Sequence, residues 1–241
     1  MWFVLLITLV ATVFADTADR QARTLSLPDG RALTIDVTVG SVRIDGWERD
    51  EVEIVVERHV PTAADQARLP IEIEDTPSRV AIRAVQADGG TDPGLRADLT
   101  VKVPRTALIE SIRVLEGRIA INGFGGSISA DVRRGPIAAG DVTGTLRLET
   151  GIGDLDVTGA RLAAGGVMRL RTFNGDVRLR LSERPANARI LALALNGDIT
   201  STIPLTMKQA WGPRWGEATL GAGDPVISID VVTGTIEIRS P

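Results

Sequence analysis

The stretch GTLRLETGIGDLDV, residues 144–157, writes one pattern twice: a glycine followed by aliphatic residues two and four places on, the second copy starting nine residues after the first. Outward from it, residues 117–161 align on glycines as GRIAINGFG, GSISADVRR, GPIAAGDVT, GTLRLETGI and GDLDVTGAR. The second place of each unit holds Ile119, Ile128, Ile137, Leu146 or Leu155, and the fourth holds Ile121, Ala130, Ala139, Leu148 or Val157. Between them stand Ala120, Ser129, Ala138, Arg147 and Asp156. Apolar positions alternating with small or polar ones are the mark of a strand with one buried face. Each unit therefore reads as one short strand and a turn, and the frame returns at Gly166, Gly175, Ala188, Gly197, Pro225 and Gly234.

One such unit cannot bury its aliphatic face alone, whereas stacked copies share a core. The expected fold is all-β: a flattened β-solenoid, single-stranded and β-helix-like, of about nine-residue half-coils with alternate units on opposite walls. The first wall takes the units beginning at 117, 135, 153, 175, 197 and 234, and the second those at 126, 144, 166, 188 and 225, stacked in chain order. The glycines relieve the corners. A calcium-binding nonapeptide array is excluded, because no unit carries an Asp in the required place after paired glycines. Insertions at 160–164, 182–187 and 204–224 all fall at the corner leading from the first wall to the second. Solenoids often place a working face there, and drift at a tolerant loop gives the same pattern.

Residues 24–104 alternate without the nine-residue metre and hold one helical candidate, TAADQARL at 62–69. A stack of strands exposes backbone at its end, so this region is expected to be an antiparallel cap on a solenoid spanning 105–241. At the carboxyl end nothing follows to cover the strand holding Ile238, so that edge is expected to self-associate or to be blocked by the 204–224 insertion or by Pro241.

Residues 1–15, MWFVLLITLVATVFA, form an apolar run too short to cross a bilayer and read as a signal peptide cleaved after Ala15. Their lack of Lys and Arg leaves an uncleaved anchor as the alternative. The mature chain is then secreted, periplasmic or envelope-associated, with no membrane span. Twenty-seven basic residues against 31 acidic ones, a net charge of −4, exclude a basic field for nucleic acid or anionic lipid. The absence of cysteine excludes a lipobox, disulfides and thiolate metal sites.

The order GSVRIDGWERDEVEIVVER at 40–58, a short helix, LTVKVP at 99–104, the G-x-I units and a closing VISIDVVTGTIEIRS at 226–240 resembles the bacterial "putative adhesin" β-strand-repeat domain of unknown function, related to auto-transporter adhesin heads. The resemblance covers about residues 24–240. It implies a non-catalytic, secreted or envelope-associated β-solenoid that acts as an adhesin-like binding or scaffolding module on an envelope protein or glycan. It carries over neither a cofactor nor a catalytic residue.

The inventory for chemistry is thin. His59 is the single histidine, there is no G-x-S-x-G elbow, and neither Cys nor Tyr occurs. Asp154, Asp176 and Asp198 occupy the same place in first-wall units and are expected to stack, either as a cation or sugar site or as turn chemistry beside glycine. The first option is the basis of the alternative function, a carbohydrate-active β-helix lyase or hydrolase. Trp211, Arg214 and Trp215 share the longest insertion and form either a docking patch or anchors that pin the loop. Trp47 is expected to pack in the amino-terminal region.

Overall fold

A computed structural model describes residues 17–161, 163–209 and 212–241. The signal-peptide reading of 1–15 and the site candidate Trp211 lie outside the described residues. Wherever the sequence alternates, it forms strand, and the result is all-β: an open, mixed, many-stranded sheet with one short 3-10 helix at Ala63–Arg68, inside the helical candidate.

The amino-terminal strands are β1 (Thr17–Ser26), β2 (Ala32–Trp47), β3 (Glu51–Val60), β4 (Ile71–Asp75), β5 (Arg79–Ala84), β6 (Arg96–Pro104) and β7 (Leu108–Asn122). The glycine-punctuated units follow as β8 (Ser127–Arg134), β9 (Ile137–Gly140), β10 (Thr145–Ile152), β11 (Leu155–Ala160), β12 (Val167–Asn174), β13 (Val177–Leu181), β14 (Ala188–Asn196) and β15 (Ile199–Ser201). Last come β16 (Thr206–Gln209), β17 (Arg214–Leu220), β18 (Val226–Thr233) and β19 (Ile236–Arg239).

Two parallel series run through the sheet. The second wall reads β5, β2, β7, β8, β10, β12, β18, β14, flanked by antiparallel β4 at one end and by the β17–β16 hairpin at the other. The first wall reads β6, β2, β7, β9, β11, β13, β19, β15, flanked by antiparallel β3 and β1. β2 and β7 are long enough to serve both walls, turning at Gly40 and Gly117. Inward residues from the two walls, such as Ile35, Ile112, Leu148 and Ile229 opposite Ile44, Ile121, Val157 and Ile238, belong to one buried cluster.

The corner between the walls explains the glycine period. Gly40, Gly117, Gly135, Gly153, Gly175, Gly234 and Gly197 form a column, each with φ between 138° and 159°. A Cβ on any of the last six would fall against the carbonyl oxygen of the glycine before it in the column. Only glycine accepts both the backbone angle and the close approach. Thr150 and Thr172 seal the column, donating their hydroxyls to the carbonyls of Gly135 and Gly153 at 2.9 Å.

The glycine-punctuated strands pair in two parallel series, but the expected chain-order stacking is corrected at the carboxyl end. β18 lies between β12 and β14, and β19 between β13 and β15. The cause is the 204–224 insertion, which contains two strands where the sequence suggested a loop. β17 pairs antiparallel with the far edge of β14, Leu193 facing Trp215, so the chain returns inside rather than outside that strand. Ile238 is consequently buried with partners on both sides, and the open carboxyl-terminal edge expected at the last strand does not exist there. The amino end shows the same inversion, since β2 lies between the β5 and β6 strands and β7.

The three insertions meet at one corner. Asp224 accepts the Gly165 N–H at 2.9 Å and Asn187 accepts the Ala222 N–H at 3.0 Å, around a pocket of about 210 Å³. Trp47 is half-buried in the amino-terminal region, its indole donating to the Glu51 carbonyl at 2.8 Å with the Arg49 guanidinium over the ring. Among the described residues no helix is long and apolar enough to cross a membrane.

Candidate functional site

β14, ARILALALN, is apolar on both faces. Ile190, Ala192 and Ala194 point into the core, leaving Leu191, Leu193 and Leu195 on the outside of the second wall. The pairing registers put Leu195 level with Val232 of β18 and with Phe173 of β12, and Leu193 opposite Trp215. Phe173 is 57% exposed and Leu195 39%, and Ile152, 56% exposed, stands at the end of β10. An apolar outer surface on a strand that already buries its other face is not required by the fold, and contiguous apolar patches of this kind mark interaction sites.

Trp215 is held at the margin of this strip. Its indole points to Glu217 at 3.4 Å, and Lys208 on the neighbouring strand reaches the same carboxylate at 3.0 Å. Those two donors, lysine first, hold the Glu217 carboxyl below its ordinary range. Arg214 does not join Trp215. Adjacent residues on a strand face opposite ways, and Arg214 pairs with Asp198 at 2.6 Å near the glycine corner.

Of the three aspartates, Asp154 and Asp176 stack on adjacent levels, the Asp176 N–H donating to the Asp154 carboxylate at 2.9 Å, and Asp198 does not join them. Arg178 bridges Asp154 at 3.2 Å and Asp176 at 3.0 Å, and Asp176 accepts both the N–H and the hydroxyl of Thr235 at 2.9 Å. The Thr235 backbone N–H is the main cause that keeps the Asp176 carboxyl low. Because β19 intervenes between β13 and β15, Thr235 occupies the level where Asp198 was expected, and the expected three-acid column is broken. His59 approaches Asp98 at 3.4 Å, and the same carboxylate accepts the Ser41 N–H and hydroxyl at 3.0 and 2.6 Å. The acid stands between serine and imidazole, which is not the serine–imidazole–carboxylate order of a nucleophile relay.

At the opposite end of the second wall lies a groove that the sequence did not disclose. Two adjoining hollows of about 740 and 650 Å³ share the outward side chains of Asp36, Arg83, Arg113 and Asp131. These come from β2, β5, β7 and β8, and only the strand register brings them into one row. Val85, Leu115 and Pro70 line one side.

No family model and no curated protein matches the chain. Among solved structures, a putative cell adhesion protein from Clostridium sporogenes is similar over 93% of this chain and 100% of its own, at 12% identity and a TM-score of 0.55. The two proteins share a fold. A putative adhesin from Bacteroides fragilis covers 92% of this chain and 97% of its own at 12% identity, with a TM-score of 0.47.

Proposed function

We propose that the protein is a non-catalytic, adhesin-like binding or scaffolding module of the cell envelope. In this reading its two parallel series form a flattened β-solenoid over 105–241, and residues 24–104 are the cap on its first coil. The observation that carries the function is the outer apolar strip of the second wall. Phe173, Val232 and Leu195 stand in one row, with Leu193 and Trp215 beside it, on a rigid sheet where every neighbour is fixed by register. A leucine-rich strip with an aromatic at each margin fits an apolar protein surface better than a glycan, which needs polar groups close to its hydroxyls. The adhesion label of the clostridial protein, which spans nearly the whole chain, supports the same class.

The test is co-sedimentation of the secreted chain with isolated bacterial envelopes, comparing wild type with a Phe173→Ser, Trp215→Ala variant. Saturable binding that the variant loses, while its unfolding midpoint stays close to wild type, supports the reading. Equal binding by both proteins overturns it. Release of soluble sugars from envelope polysaccharide, abolished by Asp154→Asn, would instead establish the carbohydrate-active enzyme.

A further inference from the structure

The groove on the amino-terminal half of the second wall is independent of the apolar strip and has a different chemistry. Arg83 faces Asp36, Asp36 faces Arg113, and Arg113 faces Asp131 on successive strands, and Asp131 in turn faces Glu149. Neighbouring strands lie about 4.8 Å apart, so the row alternates in sign at that interval as far as two adjacent carboxylates, Asp131 and Glu149, beyond which Arg171 on β12 reaches Glu149 at 3.7 Å. Elsewhere in this sheet, opposite charges on neighbouring strands close onto each other: Arg178 onto Asp154, Arg180 onto Asp156 at 3.3 Å, Lys102 onto Glu53 at 2.8 Å. Between Arg83 and Asp131 they do not. Among the described residues, the side chains of Asp36, Arg83, Arg113 and Asp131 make no hydrogen bond and no ion pair within 4 Å, and neither do those of Glu72 and Arg133 on the groove walls.

The two adjacent carboxylates are unfavourable neighbours, since like charges directly opposite in a sheet repel, and Arg171 offsets this on the Glu149 side while Asp131 has no cation within 4 Å among the described residues. Partial burial first, and Glu149 second, raise the Asp131 carboxyl above its ordinary range, with Arg113 opposing them. A cation placed between Asp131 and Glu149 would relieve this repulsion. An anion placed at Arg113 or Arg83 would satisfy donors that the protein leaves unused. The centres of the two pairs, Asp131 with Glu149 and Arg113 with Arg83, are two and a half strand spacings apart, about 12 Å, which an extended chain covers in three or four residues. Val85, Leu115 and Pro70 offer apolar contact alongside.

We propose that this groove binds an extended peptide segment carrying a basic side chain three or four residues from an acidic one, the base at Asp131 and Glu149 and the acid at Arg113 and Arg83. The lining contains no aromatic ring on which an uncharged sugar would stack, and its mixed charge rejects a polyanion or a polycation.

The experiment is fluorescence anisotropy of labelled hexapeptides titrated with the secreted chain at low ionic strength, where such contacts are least screened. A peptide with lysine and glutamate three residues apart should bind saturably. Hexalysine, hexaglutamate and a peptide with the two charges adjacent should bind about tenfold more weakly. Arg113→Gln and Asp131→Asn should each lower affinity for the first peptide by a similar factor without moving the melting temperature by more than a degree or two. An Asp131→Lys, Glu149→Lys variant should prefer hexaglutamate over the mixed peptide. The proposal is overturned if the mixed peptide shows no saturable binding up to millimolar protein, if hexalysine binds as well as it does, or if the substitutions leave its affinity unchanged.

Discussion

Gly234 sits directly on Gly175. The Gly175 N–H donates to the Thr233 carbonyl at 3.0 Å, and a Cβ on Gly234 would collide with the Gly175 carbonyl oxygen. Gly197, which precedes Gly234 in the chain, lies one level further out against Gly234. The last two strands, β18 and β19, are thus a wedge driven between strands made earlier, and the column of corner glycines runs through it unbroken.

That column predicts a steep penalty for any side chain within it. Gly175→Val should cost roughly 3 kcal/mol or more, because it combines a strained φ of 153° with overlap on the Gly153 carbonyl. Arg178→Ala removes a half-buried guanidinium that spans Asp154 and Asp176, so its cost should be about 1 kcal/mol. Urea midpoints of the two variants settle the ranking, and comparable shifts would refute the corner assignment.

The wedge predicts how the chain fails when shortened. Removing residues 226–241 deletes strands from the inside of both walls, leaving β12 and β14 without their shared neighbour. Amide exchange should therefore accelerate throughout β14 and β17, upstream of the cut. Unchanged protection there would mean that β14 packs on β12 without help from β18.

The wall assignment was legible because two local signals coincide: period-2 burial fixes which residues face inward, and the glycine marks where φ must be positive. Stack order has no such signal. Ile227, Ile229 and Val231 of β18 present the same kind of inward face as Ile190, Ala192 and Ala194 of β14, so either strand fits against Met168 and Leu170. What decides is β17, and its pattern is obscured by the intervening Gly212 and Pro213 and by Gly216, which lies on the inward face where a larger side chain would meet Leu205 and Met207. The charged groove was illegible for a related reason. Asp36, Arg83, Arg113 and Asp131 look like ordinary solvated strand positions until the register sets them side by side.

Asp176 ties the wedge to β13 and should make stability depend on pH. Its folded-state carboxyl titrates below its ordinary range, chiefly through the Thr235 N–H. The ionised form is therefore favoured by folding, and the gain is present above the unfolded value of about 3.9 and lost as pH falls through the lower folded value. Asp176→Asn should cost about 1 kcal/mol at neutral pH, and the difference from wild type should shrink as pH falls below the unfolded value and vanish once the folded-state carboxyl is protonated. A difference that stays constant across this range would show that the carboxylate charge contributes nothing.

Trp215 gives the sharpest separation between docking and anchoring. It lies between Leu193 and Lys208 on the neighbouring strands, its indole reaches Glu217 among the described residues, and it is half-buried rather than enclosed. Anchoring would require the ring to fill a closed space, and truncating a buried aromatic costs about 3–5 kcal/mol. A ring lying on an open strip loses only its contact with Leu193 and its indole hydrogen bond, about 1 kcal/mol in total. Trp211→Ala combined with Trp215→Ala should therefore shift the unfolding midpoint little while removing binding to envelopes. The decisive measurement takes both quantities on that one variant: a loss of several kcal/mol with envelope binding intact would make the tryptophans anchors and move the contact surface away from this hairpin.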